Sequence, residues 1–461
     1  MKSKHFGISS MLVLSSCLLS CNAPSDLTLK KGDKLQTLPD VTLDYDNAFF
    51  DDFSKGVSFD NWYISNSSWG GSNGGVSPKN VNYTDDGQLV LTGNGKYYVD
   101  GDIKSVGEIK DGRYTGAALV SKFLVQPGHY EVKMKVLPRL GACSAFWIFA
   151  YNVEDGSNHE IDIELPGGHR NDTITFENVL DTNYITEQRS HSQDVKVSDM
   201  FGEESVFLND GNWHTYGFDW YTDPEMVVYY LDGLVTGVSD VFVPNLQARL
   251  WIGNWFPVTS AFVGSADFEK DNMYVDYIKY IPFKDQPYEE FNPAISGVAF
   301  ENEYPKAPVA VPTVNKVANG NFEKVNLANG EIGGWKATKR LSEDKELQEV
   351  IQVVDGEGFD ESHALSVSDG GIAYQVIDSV YQGFKHDFSI HAKGKGKISI
   401  RYYGASTSEI LDIKTIDIDS DNLSEYTLDL VAPKGSQNIR INVETTKDNS
   451  ILIDNVSLKQ K

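Results

Sequence analysis

The chain has 461 residues, too many for one ordinary hydrophobic core, so two folded units with connecting segments are expected. With 66 acidic against 40 basic residues, the formal charge of −26 argues against nucleic acid or an anionic bilayer as partner, because both are bound through Lys/Arg clusters. The 40 Gly, 23 Tyr, 23 Phe and 8 Trp favour an all-β protein of half-buried strands joined by glycine turns, and three cysteines leave no room for a disulfide framework.

Residues 1–21 read as a signal peptide: Lys2 and Lys4 precede an apolar run through Met11–Leu14, and Leu18-Leu19-Ser20-Cys21 closes it. The run is shorter than a membrane span. A small residue directly before a cysteine resembles a bacterial lipobox, which implies lipidation at Cys21, with Leu14-Ser15-Ser16-Cys17 as a competing site. The expected location is the cell envelope, with the lipid as the only membrane contact. Residues 22–42 are polar and without periodicity, as a flexible tether would be.

Strand patterning starts near Tyr45 and recurs at short intervals to Pro282, placing a β-sandwich or jelly roll over 43–284. Tyr130–Val136 alternates apolar with charged, and Thr215–Trp220, Val227–Leu231 (closed by Asp232-Gly233) and Tyr274–Tyr280 follow the same rule. From 285 to 314 the prolines at 287, 293, 305, 308 and 312 interrupt any ladder, so this stretch reads as an interdomain linker. Strands return at Lys397–Tyr403, Ile439–Val443 and Ile451–Asp454, which makes 315–461 a second β-sandwich.

The chemistry concentrates in His159-Glu160-Ile161-Asp162-Ile163-Glu164-Leu165-Pro166-Gly167. Acids at i, i+2 and i+4 with apolar residues between them place three carboxyls on one face of a strand, whereas a helix would turn Asp162 away from both glutamates. Such a row repels itself, so at least one carboxyl keeps its proton at neutral pH. A solvated strand face or a calcium site is the alternative reading of the spacing. Two acids of split pKa are what glycoside hydrolysis requires. Glu160 and Glu164 are rooted about 13 Å apart on a strand, so both side chains would have to lean toward Asp162 to reach the roughly 5 Å of a retaining pair. Cys143, in Gly-Ala-Cys-Ser-Ala, has no His-centred nucleophile motif beside it and reads as a small buried side chain.

Glu160-Ile161-Asp162-Ile163-Glu164 resembles the signature of glycoside hydrolase family 16, in the form without a bulge before the last Glu. Ser72–Val76, Asn80–Tyr83, Ser144–Trp147, His214–Tyr216 and Val275–Ile278 resemble further markers of that family, between about Asp51 and Pro282. The resemblance implies a jelly roll, a retaining endo-β-glycanase, Glu160 as nucleophile, Glu164 as general acid/base and Asp162 as their helper. It implies no cofactor for catalysis, a possible structural calcium on the convex face whose ligands are not located, and an oligo- or polysaccharide substrate for a monomer. Trp255 matches a family tryptophan of the cleft; Trp147 precedes the acid strand, and Trp251, four residues before Trp255, competes for the same face. Asn73 and Asn254 are candidate hydroxyl ligands with turn residues as the alternative, and Glu177 is a candidate cleft acid with a solvated carboxylate as the alternative. His214 reads as structural.

The segments Arg113–Lys122 and Glu160–Gly167 look more like the endo-β-galactosidase branch, which cuts poly-N-acetyllactosamine chains of mucin O-glycans. The alternative is an endo-β-glucanase on mixed-linkage or β-1,3-glucan. A jelly-roll lectin would have no use for two glutamates flanking an aspartate, and a transglycosylase would use the same acids. The Asn319–Glu323, Gly333–Trp335 and Ile453–Val456 segments resemble sandwich carbohydrate-binding modules, with a spacer that binds nothing as the alternative.

Overall fold

The computed structural model describes residues 38–68, 74–98, 114–167, 178–201, 206–258, 260–295, 298, 313–326, 331–339, 345–404 and 409–461. Residues 1–37, with Cys17 and Cys21, and much of the 285–314 segment lie outside them. Strands dominate; the longest α-helix among the described residues, Val197–Phe201, has five. No helix there is long and apolar enough to cross a membrane.

Two antiparallel sheets stack into a jelly-roll sandwich. The outer sheet runs Leu234–Ser239, Glu225–Leu231, His214–Thr222, Gly128–Lys135, Lys270–Pro282, Leu89–Asn94 and Val81–Tyr83, with Phe49–Asp51 added to Lys270–Pro282. The inner sheet runs Arg189–Lys196, Asn178–Thr186, Asn158–Pro166, Cys143–Tyr151, Arg249–Trp255, Ala117–Ser121 and Trp62–Ile64. Alternation decides what each strand gives the core. Phe146, Ile148, Ile161, Ile163, Leu250 and Ile252 point inward from one sheet and meet Tyr130, Val132, Phe218 and Tyr229 from the other, all at 0% exposure. The rings of Phe146 and Phe218 are 6.0 Å apart across the gap, and Tyr130 stacks on Phe218 at 4.5 Å. At Asp232-Gly233, where φ is 50° and 77°, the strands Glu225–Leu231 and Leu234–Ser239 join in a hairpin turn that needs left-handed backbone.

Both presumed connectors are shorter than their composition suggests. Leu38, Val41 and Leu43 pack on Tyr221, Val228 and Phe283, and Lys284 N–H donates to Thr42 O, so the tether's last residues belong to the fold. After Phe283, Gln286 Oε1 accepts from the N–H groups of Thr222 (2.7 Å) and Asp223 (2.9 Å), while Arg249 donates to Asn292 Oδ1 and Pro293 O. The prolines prevent a ladder there, but side-chain bonds fix the backbone instead.

The C-terminal domain is built on an eight-stranded sheet, ordered Lys336–Lys339, Gly371–Asp378, Asn438–Glu444, Lys385–Tyr403, Ser450–Gln460, Ala364–Ser368 and Ile351–Val354, with Ile410–Val431 paired to Lys385–Tyr403. One half of the 19-residue strand Lys385–Tyr403 pairs with Asn438–Glu444 and the other with Ser450–Gln460.

Gly116 lies where the edge of the inner sheet meets Asn254: a Cβ there would fall 1.9 Å from the Asn254 carbonyl oxygen. Gly116→Ala should therefore destabilise the jelly-roll domain by about 3 kcal/mol, through forced backbone displacement. Thermal unfolding checks this; an unchanged midpoint would contradict the close packing.

Candidate active site

The acid strand Asn158–Pro166 sits near the middle of the inner sheet, between Cys143–Tyr151 and Asn178–Thr186. Ile161, Ile163 and Leu165 are buried at 0–1% exposure, so Glu160, Asp162 and Glu164 occupy the opposite, outward face of the sheet. The register puts Phe149, Trp147 and Ala145 beside Glu160, Asp162 and Glu164 on one side, and Tyr184, Thr182 and Leu180 beside them on the other. One face of a rigid sheet thus gathers acids, aromatics and a phenol.

The carboxyls do not titrate independently. Burial, with the charges of Glu160 and Glu164 acting in the same direction, pushes Asp162 well above the usual carboxylate range, so it keeps its proton and donates it to Glu160. Burial also raises Glu160, and Glu164 adds to this. Hydrogen bonds from Tyr184, Asp162 and the Asn158 amide (3.3 Å) oppose that rise by favouring its ionised form. Tyr184 stays a neutral donor, since burial and the neighbouring carboxyl charges raise its phenol far above the usual value. Glu164 has a different neighbour: its Oε1 lies 3.7 Å from Cys143 Sγ. Burial foremost, and then the Glu164 charge, keep that thiol protonated. Of the two glutamates that would have to lean toward Asp162, Glu160 bonds to it, and Glu164 lies against Cys143.

Aromatic side chains extend the floor on the Arg249–Trp255 side. Trp147 and Trp251 are direct cross-strand partners and stack at 5.4 Å with 20° between planes; Phe149 meets Trp251 edge-on at 6.4 Å. Trp255 lies on the same face, opposite Cys143. The two tryptophans that competed for this face therefore both occupy it, about 13 Å apart along the strand. Flat, partly exposed rings of this kind pack against the apolar C–H faces of sugars.

Asn254 is a correction. It shares the inward parity of Leu250 and Ile252, is 1% exposed, and donates through Nδ2 to Leu91 O of the outer sheet at 3.0 Å. It ties the two layers together and cannot reach a substrate hydroxyl. Asn73 and Glu177 lie outside the described residues. His214, bonded to Asp232 (2.7 Å) and Asp210 (3.3 Å), fixes the start of an outer strand and takes no part in the cleft. Cys143 is buried as expected, yet it touches a catalytic candidate, and Tyr184 was not singled out from the sequence at all. Among the described residues no group of three or more His, Cys, Asp or Glu is gathered to hold a metal ion.

A family model described as the GH16 domain of β-porphyranases A–D matches residues 44–280. Among curated proteins, a xylanase/β-glucanase from Ruminococcus flavefaciens is 27% identical over 175 residues, 37% of this chain and 20% of that protein. A β-glucanase from Bacillus amyloliquefaciens is 28% identical over 129 residues, 28% of this chain and 47% of that protein. The chain thus spans less than half the length of these relatives. Among solved structures, a Bacillus licheniformis β-glucanase is 19% identical, with a TM-score of 0.40, covering 50% of this chain and 97% of its own. The catalytic domain of an endo-1,3-β-glucanase (laminarinase) from Thermotoga petrophila RKU-1 is 19% identical with a TM-score of 0.42, covering 54% and 100%. The family match covers more than half of the chain, over the residues that form the sandwich and carry the acid row, and the chain therefore belongs to glycoside hydrolase family 16.

Proposed function

We propose that this family 16 endo-glycosidase works by retention. Glu160 attacks the anomeric carbon, Glu164 protonates the leaving oxygen and then deprotonates water, and Asp162 holds the proton that keeps Glu160 ionised. The observation that carries this reading is the hydrogen-bonded Asp162–Glu160 pair, with Tyr184 as a second donor to the same carboxylate. A nucleophile needs its charge and a desolvated approach together, and two fixed donors supply the first inside a site whose burial supplies the second. A lectin would gain nothing from a buried carboxyl pair sharing a proton.

For the substrate we infer a β-glucan, supported by the names of the curated relatives: a xylanase/β-glucanase and three Bacillus β-glucanases. Porphyran is the second reading, favoured by the family description that spans residues 44–280. The mucin O-glycan reading rests on the resemblance of two short segments and has no counterpart among these relatives. Incubation with barley β-glucan, laminarin, porphyran and mucin O-glycans, followed by product masses, ranks them. Oligosaccharides released from a β-glucan are expected, and release from mucin glycans alone would overturn the inference.

The roles of the two glutamates separate in a rescue experiment. Glu164→Ala should lose at least about a hundredfold in kcat on polysaccharide, yet still react with an activated aryl glycoside whose leaving group needs no proton. Azide should then restore turnover with the β configuration kept, read by proton NMR of the glycosyl azide. An α-azide would assign the nucleophile elsewhere.

Protonation supplies the last test. Glu160 must be ionised to attack and its burial raises its pKa, so the acidic limb of kcat/KM should lie above the ordinary glutamate value. Tyr184→Phe removes a donor that favours the ionised form. Its acidic limb should therefore move to higher pH, with kcat reduced about tenfold. A limb that stays in place, or moves down, would show that Tyr184 does not bond the nucleophile.

A further inference from the structure

The C-terminal domain meets the catalytic domain at one end of the acid strand. Cys143 pairs with both Pro166 and Trp255, so the start of Cys143–Tyr151 and the ends of the acid and tryptophan strands lie together. These are the strand ends nearest Glu164. The loops that leave them are bonded to one another: Gly167 N–H donates to Ala142 O at 3.0 Å, Gly141 N–H to Val263 O at 2.6 Å, and the Arg139 guanidinium lies 4.8 Å from the Phe268 ring centre. Residues 95–97 join the same cluster through Gly95 N–H to Glu269 O and Tyr97 N–H to Phe268 O.

The second domain holds this cluster from outside by two carboxylates, one from each partner. Asp378 accepts from Arg139 Nε (3.0 Å) and the Leu140 N–H (2.9 Å), and Arg139 Nη2 forms an ion pair with it at 2.9 Å. Arg139 is 1% exposed, so its charge depends on the carboxylates it meets, Asp378 and, at 4.0 Å, Asp271. From the other direction Glu269 accepts from the Asn319 N–H and Lys324 Nζ, both at 2.7 Å, and Lys324 also reaches Tyr97 O. Phe207 and Tyr381 add a stacked pair at 3.9 Å to the seam. A tail that only bound sugar would need none of this.

We propose that the C-terminal domain is a buttress for the Glu164 end of the cleft, and that Asp378 is a positioning residue for the acid/base. The path is short: Asp378 fixes Arg139 and Leu140, the Ala142–Gly167 bond carries that position to the end of the acid strand, and Cys143, the first residue of the strand that follows this loop, touches the Glu164 carboxyl. A displacement of the order of 1 Å at a group that must meet the leaving oxygen is enough to cost ten- to a hundredfold in rate. The inference rests on the reading of Glu164 given above.

The test uses the full chain and counts active sites by trapping with an activated 2-fluoro glycoside, so that loss of folded protein does not enter. Asp378→Ala should lower kcat per active site on polysaccharide about tenfold, with KM changed less than about twofold. Its glycosylation by an activated aryl glycoside, which needs no proton from Glu164, should match wild type. An equal loss on both substrates, or none on either, would reduce the seam to a stability contact and overturn the proposal. Should Asp378→Ala fail to fold, Arg139→Met combined with Asp378→Leu replaces the buried pair by apolar volume while leaving Leu140 N–H without its acceptor. The same selective loss is expected, and wild-type selectivity would overturn the proposal. Glu164→Ala run alongside keeps the two claims apart: if it shows no preference for the activated leaving group, the acid/base assignment falls whatever Asp378 does.

Discussion

Three carboxyls on one face of one strand cannot all be charged, and the site is organised around how that repulsion is relieved. Asp162, the middle member and only 7% exposed, keeps its proton and gives it to Glu160 as a hydrogen bond. That bond favours the ionised form of Glu160, against a burial that still raises its pKa to about 7. This works only if the strand is straight, paired on both sides and backed by core. Both neighbours are in register over the whole acid segment, and Ile161 and Ile163 anchor its inner face against the outer sheet. Tyr184, from the strand on the far side from the tryptophans, completes the cage.

Much of this was legible in alternation alone. The pattern Glu-Ile-Asp-Ile-Glu specified strand, face and repulsion, because a period of two leaves no other way to bury the isoleucines. The same rule, carried through Leu250-Trp251-Ile252-Gly253-Asn254-Trp255, places both tryptophans on the cleft and Asn254 in the interior with Leu250 and Ile252. The attraction of an amide as a sugar ligand obscured that parity. Tyr184 was beyond local reading: its position beside Glu160 depends on how two strands joined through residues 168–177 are registered, and nothing in the sequence of either strand states that register.

Long-range bonds account for the remaining surprises. Proline spacing marked 285–314 as a connector, but the contacts of Gln286 and Asn292 with residues 222 and 249 hold its first part to the sandwich. Arg139 and Asp378 are 239 positions apart, and neither is conspicuous in its own segment. Such pairs are fixed by tertiary geometry. They change the meaning of the second domain, which is joined to the jelly roll by a buried ion pair and side-chain-to-backbone hydrogen bonds at the place where the strand of Glu160, Asp162 and Glu164 ends.

The central claim is that the row holds a second proton besides the one Glu164 brings as general acid, and that this second proton sits on Asp162. Infrared difference spectroscopy in the Glu164→Gln background, with and without Asp162→Asn, reads this directly through the C=O stretch of a protonated acid. The account predicts a protonated-carboxyl band in Glu164→Gln that is lost when Asp162→Asn is added. A band that survives the double substitution, or its absence from Glu164→Gln, would contradict it.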